Sequence, residues 1–208
     1  MRNNDITYVM FLVEGVGHTT FIESNESKKY KILDFISDTK YRNIERKRTK
    51  EELEELGRIW EQEGHLMSKE GYINRIKDEL ITEPNKDYPN NIIELIGNDY
   101  QKYDIIFVRY SSLVIDKLKV FSENTDLIPV FIYPGKASFY DYIGRLYVSG
   151  KEDFLIKTKI RNWDKLQENY TNTHLANSLH FPLQVGDYLS TIISEISYIQ
   201  EYTNGKFK

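Results

Sequence analysis

The chain has 208 residues and carries 28 basic and 32 acidic side chains, which gives a formal net charge of −4. It has no cysteine, which excludes disulfides, thiolate zinc sites and a catalytic thiol. The slight acidity with mixed signs gives no strong nucleic-acid signal, because a nucleic-acid binder concentrates basic residues on one face.

Short apolar runs predict the strands of a mainly parallel sheet. The clearest cover 8–13, 105–110 and 128–133, and they are rich in Val, Ile, Phe and Tyr without alternation between apolar and polar positions. This is the pattern of strands whose two faces are both covered by helices. Two weaker runs, at 31–35 and 178–181, predict two further strands.

The first apolar run also bears on the location of the protein. It is far shorter than the ~20 residues that a membrane-spanning helix needs. A polar segment precedes it, and no small-residue cleavage site follows it. We therefore expect no signal peptide, no membrane partner and a cytoplasmic location.

Helical spacing of apolar residues fills the intervals between the strands. The predicted helices lie at 50–63, 71–81, 92–96, 113–121, 139–147, 152–169 and 189–199. Asp187 is placed to cap the start of the last of these helices. The alternation of strands and helices predicts an α/β fold. We expect a single domain, 1–208, with a mostly helical insert at about 40–102.

A candidate phosphate-binding loop follows the first strand and has the sequence EGVGHTT at 14–20. Two glycines allow the backbone N–H groups to point into one concavity, and a following helix would add its positive N-terminal end. One of the threonine hydroxyls would stand where such loops hold Mg²⁺. The candidate binding residues are Gly15, Gly17, His18, Thr19 and Thr20.

The loop departs from the full GxxxxGK[ST] pattern at two positions. Leu12 stands at the first glycine position, and His18 stands at the lysine position. That lysine neutralises charge on the β- and γ-phosphates, and a neutral imidazole on a shorter stem cannot fully replace it. A plain glycine turn after a buried strand explains the same residues equally well.

Further sequence pieces, spread over most of the chain, carry a family resemblance. They are LD at 33–34, SD at 37–38, YINRI at 72–76, YDIIFV at 103–108, VFIYPGK at 130–136, YDYIGRLY at 140–147, DFLI at 153–156, NWD at 162–164 and LQVGDYL at 183–189. With these pieces the chain resembles small P-loop kinase-like proteins common in bacteriophages, which are distant relatives of nucleoside monophosphate kinases.

The resemblance implies a three-layer P-loop-NTPase-like domain with a mainly parallel five-stranded sheet and a helical insert. It implies a lid-like segment at about 136–160 and, if the protein is active, ATP as phosphoryl donor with Mg²⁺ held at Thr19; an inactive protein would need neither cofactor. Arg145 matches the first lid arginine and would act in catalysis by closing over the phosphates. Ser149 stands where a second lid arginine is usual, and Lys151 could partly replace that arginine.

Three other residues near predicted strand ends are candidates with plain alternatives. Asp34 could act as a general base or contact Mg²⁺, or it could be an ordinary polar residue at a strand end. Arg109 interrupts an apolar strand and therefore points into the ligand crevice or pairs with a carboxylate. Lys136 follows the fourth predicted strand on the expected ligand side, where solvated loop lysines are also common.

The missing loop lysine and lid arginine together predict a degenerate catalytic site. Losing one phosphate clamp typically costs ~10²–10³-fold in rate, and two are missing here. We therefore expect an accessory protein, in the host cytoplasm if phage-encoded, that binds a nucleotide, another small molecule or a protein partner. The alternative is an active ATP-dependent kinase of a nucleoside, nucleotide or modified DNA base. A structural subunit that keeps only the fold is a third possibility.

Overall fold

The structure, a computed structural model, describes residues 6–37, 43–121 and 126–203. The chain divides into two compact units, of which the first is Met1–Ser37 with Pro89–Lys208 and the second is Asp38–Tyr88. The segment predicted as an insert, 40–102, therefore spans the second unit and the beginning of the returning chain of the first.

Both units contain strands and helices. In chain order the strands are β1 Thr7–Leu12, β2 Ile32–Asp34, β3 Asn43–Lys47, β4 Leu80–Pro84, β5 Ile105–Arg109, β6 Leu127–Pro134 and β7 Leu179–Leu183. The helices are α1 His18–Glu23, α2 Lys50–Gln62, α3 Lys69–Ile76, α4 Asn90–Asp99, α5 Ser112–Leu118, α6 Phe139–Val148, α7 Asp153–Arg161, α8 Trp163–Asn172 and α9 Leu189–Thr203.

The first unit is built on a five-stranded parallel sheet with the order β2-β5-β1-β6-β7. All six residues of β1 are buried. Because successive side chains of a strand point to opposite faces, both faces of the sheet are covered at its centre. The predicted α/β fold with a parallel five-stranded sheet is confirmed, and it is compatible with a three-layer arrangement.

The core of the first unit joins the central strands to the helices that follow β6. The rings of Phe11 and Phe131 stack across adjacent strands with centroids 4.9 Å apart. A second cluster, in which Tyr142, Leu146, Ile156 and Trp163 are buried, fastens α6, α7 and α8 to one another. Arg145 and Lys159 lie three residues after the buried Tyr142 and Ile156 of this cluster, so the packing of α6 and α7 also places these two cations.

The second unit pairs β3 and β4 in an antiparallel ribbon and contains α2 and α3. Arg46 of the ribbon lies 2.6 Å from a carboxylate oxygen of Glu52 and 2.8 Å from one of Glu83. The helix predicted at 71–81 ends at Ile76, and its last residues belong to β4. The ribbon was not predicted, because its strands are largely polar and give little apolar alternation.

Two other predicted elements differ in detail. The single helix expected at 152–169 is two helices, α7 and α8, with Asn162 between them in a non-helical conformation. The last helix begins at Leu189, and Asp187 does not occupy its cap, since its carboxylate accepts a hydrogen bond from the Gln184 N–H on the preceding side. Within the described ranges, no helix has the length and apolar character of a membrane span.

Candidate functional site

A cavity of about 810 Å³ opens where β1 and β5 end. Leu12 and Arg109, the last residues of these strands, are register partners, so the chain that follows β1 begins beside the Arg109 side chain. The connection after β1 leads to β2 at one edge of the sheet, and the connection after the neighbouring strand β6 leads to β7 at the other edge. Such a divergence between neighbouring strands is where open α/β sheets bind ligands.

The loop 13–17 forms one wall of this cavity and depends on its two glycines. Gly15 has φ +82° and Gly17 has φ +91°, values that side chains rarely adopt. A Cβ atom on Gly17 would lie 3.1 Å from Cδ1 of Tyr188, and one on Gly15 would lie 3.1 Å from Cε2 of Tyr142. The glycines therefore provide both the turn and the close approach of the helices behind it.

Three cations converge on the Glu14 carboxylate at the cavity wall. Arg109 Nη1 lies 3.1 Å from Glu14 Oε1, and Lys151 Nζ lies 3.6 Å from the same oxygen. Lys159 Nζ approaches the other oxygen, Oε2, to 3.8 Å. Burial raises the pKa of Glu14, but Lys151, Arg109 and Lys159 outweigh this effect and hold the pKa below its ordinary value. The four residues are called the Glu14 cluster below.

His18, at the position of the missing lysine, is engaged away from the loop. Its Nε2 lies 3.1 Å from Oδ1 of Asp34, and its ring meets Phe107 edge-on at 5.2 Å. Asp34 Oδ1 also accepts hydrogen bonds from the N–H groups of Ile36, at 2.9 Å, and Ser37, at 3.3 Å. The structure thus brings together two predicted site residues as a pair.

This pairing sets the chemistry available to Asp34. Burial raises the pKa of its carboxyl group, but the hydrogen bonds from His18 and Ser37 and the charge of His18 prevail and lower the pKa to about 2. A carboxylate with so low a pKa is a poor proton acceptor near neutral pH, because a general base works best with a pKa close to the operating pH. The arrangement favours a positioning role over the general-base role considered from the sequence.

Arg145, the predicted lid arginine, lines the cavity but is held by its own surroundings. Its Nη2 donates to Asp141 one turn earlier on α6, and its Nη1 donates to the carbonyl oxygen of Asp187 at 2.6 Å. The guanidinium lies 4.1 Å from the centroid of the Tyr188 ring. These contacts leave Arg145 only part of its hydrogen-bonding capacity for a ligand.

The other sequence candidates divide between the cavity and the outside. Thr19, Thr20, Ser149 and Lys151 line the cavity, whereas Lys136 lies in an exposed turn after β6 and is not among the lining residues. Within the described ranges, no three His, Asp or Glu side chains are grouped as they would be around a metal ion.

Two charged residues of the site were not singled out from the sequence. Glu14 was read only as part of the loop, although a carboxylate beside two glycines predicts a charged cavity wall. Lys159 lies three residues after the buried Ile156 on α7. Residues at that spacing share a helix face, and this signal could have placed Lys159 toward the protein interior.

Neither the models of known protein families nor a search of curated proteins gives a match to this chain. The chemistry of the site therefore has to be argued from its geometry. The Glu14 cluster holds three cations against one carboxylate, and Arg145 and His18 add hydrogen-bond donors that are already engaged. Such an arrangement can bind an anion, and it presents no described nucleophile activated by a neighbouring base.

Proposed function

We propose that this chain is a P-loop kinase-like accessory protein whose cavity binds a phosphorylated ligand, of the nucleotide class, without efficient phosphoryl transfer. One observation carries the proposal: Arg109, Lys151 and Lys159 converge on a glycine loop at the carboxyl ends of parallel strands. Phosphate groups are recognised by such combinations of cations and backbone turns.

The cavity has the size and the free donor capacity that a nucleotide needs. Its volume, about 810 Å³, lies within the range of small-molecule sites. Arg109 donates from Nη1 to Glu14 while its side chain is 38 % exposed, so the guanidinium keeps further N–H donors that a ligand oxygen can reach. If the ligand carries Mg²⁺, the hydroxyl of Thr19 is the loop group that would contact the ion.

The degenerate character of the site rests on the two positions where phosphotransferases place cations. His18 is turned to Asp34, and Ser149 donates its hydroxyl to the carbonyl oxygen of Leu146. Neither side chain supplies a fixed positive charge to a transferring phosphoryl group. Because phosphoryl transfer depends on positive charge and alignment, we expect binding to survive and turnover to be slow or absent.

Isothermal titration calorimetry with ATP, with and without Mg²⁺, tests the proposal. We expect saturable binding that weakens when Lys151 is replaced by Gln, since that change removes one cation of the Glu14 cluster. Lys165→Gln, an exposed lysine on α8 that is not among the cavity-lining residues, is the matched control. No heat of binding at millimolar ATP or nucleoside monophosphate would overturn the proposal and leave a protein-binding or structural role.

An active ATP-dependent kinase is the second candidate, and one observation favours it. Positive charge reaches the cavity from Arg109 of β5 and from Lys151, so it is not missing from the site even though positions 18 and 149 lack it. A coupled assay for ADP with nucleoside and nucleoside monophosphate acceptors separates the two functions. Turnover by the wild-type protein favours the kinase, whereas ATP binding without turnover favours the accessory protein.

His18→Lys sharpens this comparison. A lysine there restores the cation of the phosphate loop and can still pair with Asp34 across the distance that the imidazole now spans. If turnover appears in this variant alone, the rest of the catalytic arrangement is intact, and His18 is the reason why the wild-type protein has no kinase activity. If turnover stays at background while ATP still binds, residues outside the loop that a kinase needs for phosphoryl transfer are missing as well.

A further inference from the structure

We infer that the Glu14 carboxylate is a built-in counter-ion that stands in the place of a ligand phosphoryl group and is exchanged for it on binding. This inference rests on the proposed function and specifies its ligand: a dianionic phosphate monoester or a polyphosphate. In the exchange, Arg109, Lys151 and Lys159 would transfer their contacts from the glutamate to the phosphoryl oxygens.

The distances in the Glu14 cluster show that the carboxylate satisfies its partners incompletely. Arg109 is at hydrogen-bond distance, but the ammonium nitrogens at 3.6 and 3.8 Å lie beyond the range of a good hydrogen bond. A planar carboxylate has two oxygens for three cations that come from three different segments. A tetrahedral phosphoryl group offers more oxygens and can meet donors from several directions.

Charge points to the same class of ligand. Three cations against one carboxylate leave the Glu14 cluster with an excess of two positive charges. The carboxylate of Asp141, which also lines the cavity, does not cancel this excess, because it is paired with Arg145. Asp34 is not among the lining residues, and its carboxylate is held by His18 and by the N–H groups of Ile36 and Ser37. A monoanion would only replace the glutamate, whereas a dianion or a polyphosphate neutralises the whole cluster.

Exposure allows the exchange to take place. Arg109 and Lys151 line the cavity, and their side chains are 38 % and 37 % exposed, so a ligand entering the cavity reaches these two cations without unfolding the core. Lys159 is not among the lining residues, and its side chain is 22 % exposed where it approaches Glu14. Glu14 also lies in the loop, next to Gly15, and not in the first strand or first helix. Its side chain can therefore rotate toward solvent while β1 and α6 stay in place.

The test compares Glu14→Gln with the wild-type protein in calorimetric titrations with inorganic pyrophosphate and with ATP. The amide keeps the size of the side chain and removes the competing charge. We expect pyrophosphate and ATP to bind at least about tenfold more tightly, since a unit charge a few ångströms from a phosphoryl group is removed. Glu168→Gln, an exposed glutamate on α8, makes the same change outside the cavity and is expected to leave both affinities unchanged.

The outcomes for the two proposals can be told apart. If the wild-type protein binds ATP and Glu14→Gln binds no more tightly, the counter-ion inference is wrong and the proposed function stands. If only Glu14→Gln binds, Glu14 occupies the phosphoryl position but is not exchanged for a ligand, which overturns both the exchange and the proposed function. If neither protein binds, both are wrong.

A second variant decides the matter if Glu14→Gln does not fold. Lys159→Gln removes one cation that approaches Glu14, and we expect it to weaken pyrophosphate binding several-fold, with Lys165→Gln as the control. An unchanged affinity in Lys159→Gln would overturn the inference, because the exchange requires all three cations. AMP and pyrophosphate then distinguish the two sources of phosphoryl group: a preference for AMP assigns the Glu14 cluster to a monophosphate, and a preference for pyrophosphate assigns it to a polyphosphate.

Discussion

The pair of Asp34 and His18 makes a stability prediction that depends on pH. The pKa of Asp34 lies at about 2 in the folded protein, against 3.8 for the free side chain. Because the folded pKa is the lower one, ionised Asp34 stabilises the fold at pH values above 3.8, and this contribution is lost as the pH falls through about 2. At 1.36 kcal/mol per pKa unit, the difference corresponds to roughly 2 kcal/mol at neutral pH.

The perturbation is Asp34→Asn, which keeps the shape of the side chain and removes its charge. Urea unfolding is followed by circular dichroism at about pH 7 and about pH 3. We expect the variant to be less stable than the wild-type protein by roughly 2 kcal/mol at the higher pH and by about half as much at the lower one. The side chain of Asp34 is only 17 % exposed, so solvent screening removes little of this effect.

The control and the refuting result follow from the same reasoning. Asp87→Asn changes an exposed aspartate in a turn outside the helices, and we expect the same stability as the wild-type protein at both pH values. A loss of stability for Asp34→Asn that does not change with pH would refute the assignment of this loss to the ionisation of Asp34. No loss at either pH would refute the pairing itself.

Three further variants test the loop and its neighbours by urea unfolding. Gly17→Ala should lower the free energy of unfolding by about 1–2 kcal/mol, because an alanine at φ +91° is strained and its Cβ would press on Tyr188. Gly64→Ala is the control for backbone strain alone, because Gly64 has φ +70° and open space around it. Arg145→Met should lower the free energy of unfolding by about 1–3 kcal/mol, because it leaves Asp141 without its cationic partner. Arg161 is exposed, and Arg161→Met should change this free energy little. Tyr142→Phe should raise the stability by up to about 1 kcal/mol, because the buried hydroxyl has no hydrogen-bond partner among the described residues, and exposed Tyr147→Phe should have no effect.

The parallel sheet could be predicted from the sequence because its strands are buried on both faces. Apolar runs without alternation, such as 128–133, have few alternative structures once segments of helical spacing surround them, and β6 occupies Leu127–Pro134. The ribbon β3–β4 could not be predicted in this way. Arg46 and its two carboxylate partners stabilise it through charge, and charged pairs between distant residues leave no periodic signal in a single sequence.

In the candidate site, too, some features could be predicted from the sequence and others could not. The position of the loop followed from its two glycines after a buried strand, and both adopt positive φ. The partner of Arg109 could not be predicted, because 95 residues separate it from Glu14 and only the pairing of β1 with β5 brings them together. Likewise, spacing alone could not show that His18 turns to Asp34.

The exchange of Glu14 for a phosphoryl group can be observed in a crystal structure of the protein with pyrophosphate at saturating concentration. We expect phosphoryl oxygens within about 3.2 Å of the side-chain nitrogens of Arg109 and Lys151. We also expect the Glu14 carboxylate to turn away from the cluster while the loop 13–17 keeps its backbone. A cavity without ligand at saturating pyrophosphate, with Glu14 still in contact with Arg109, would show that no exchange takes place.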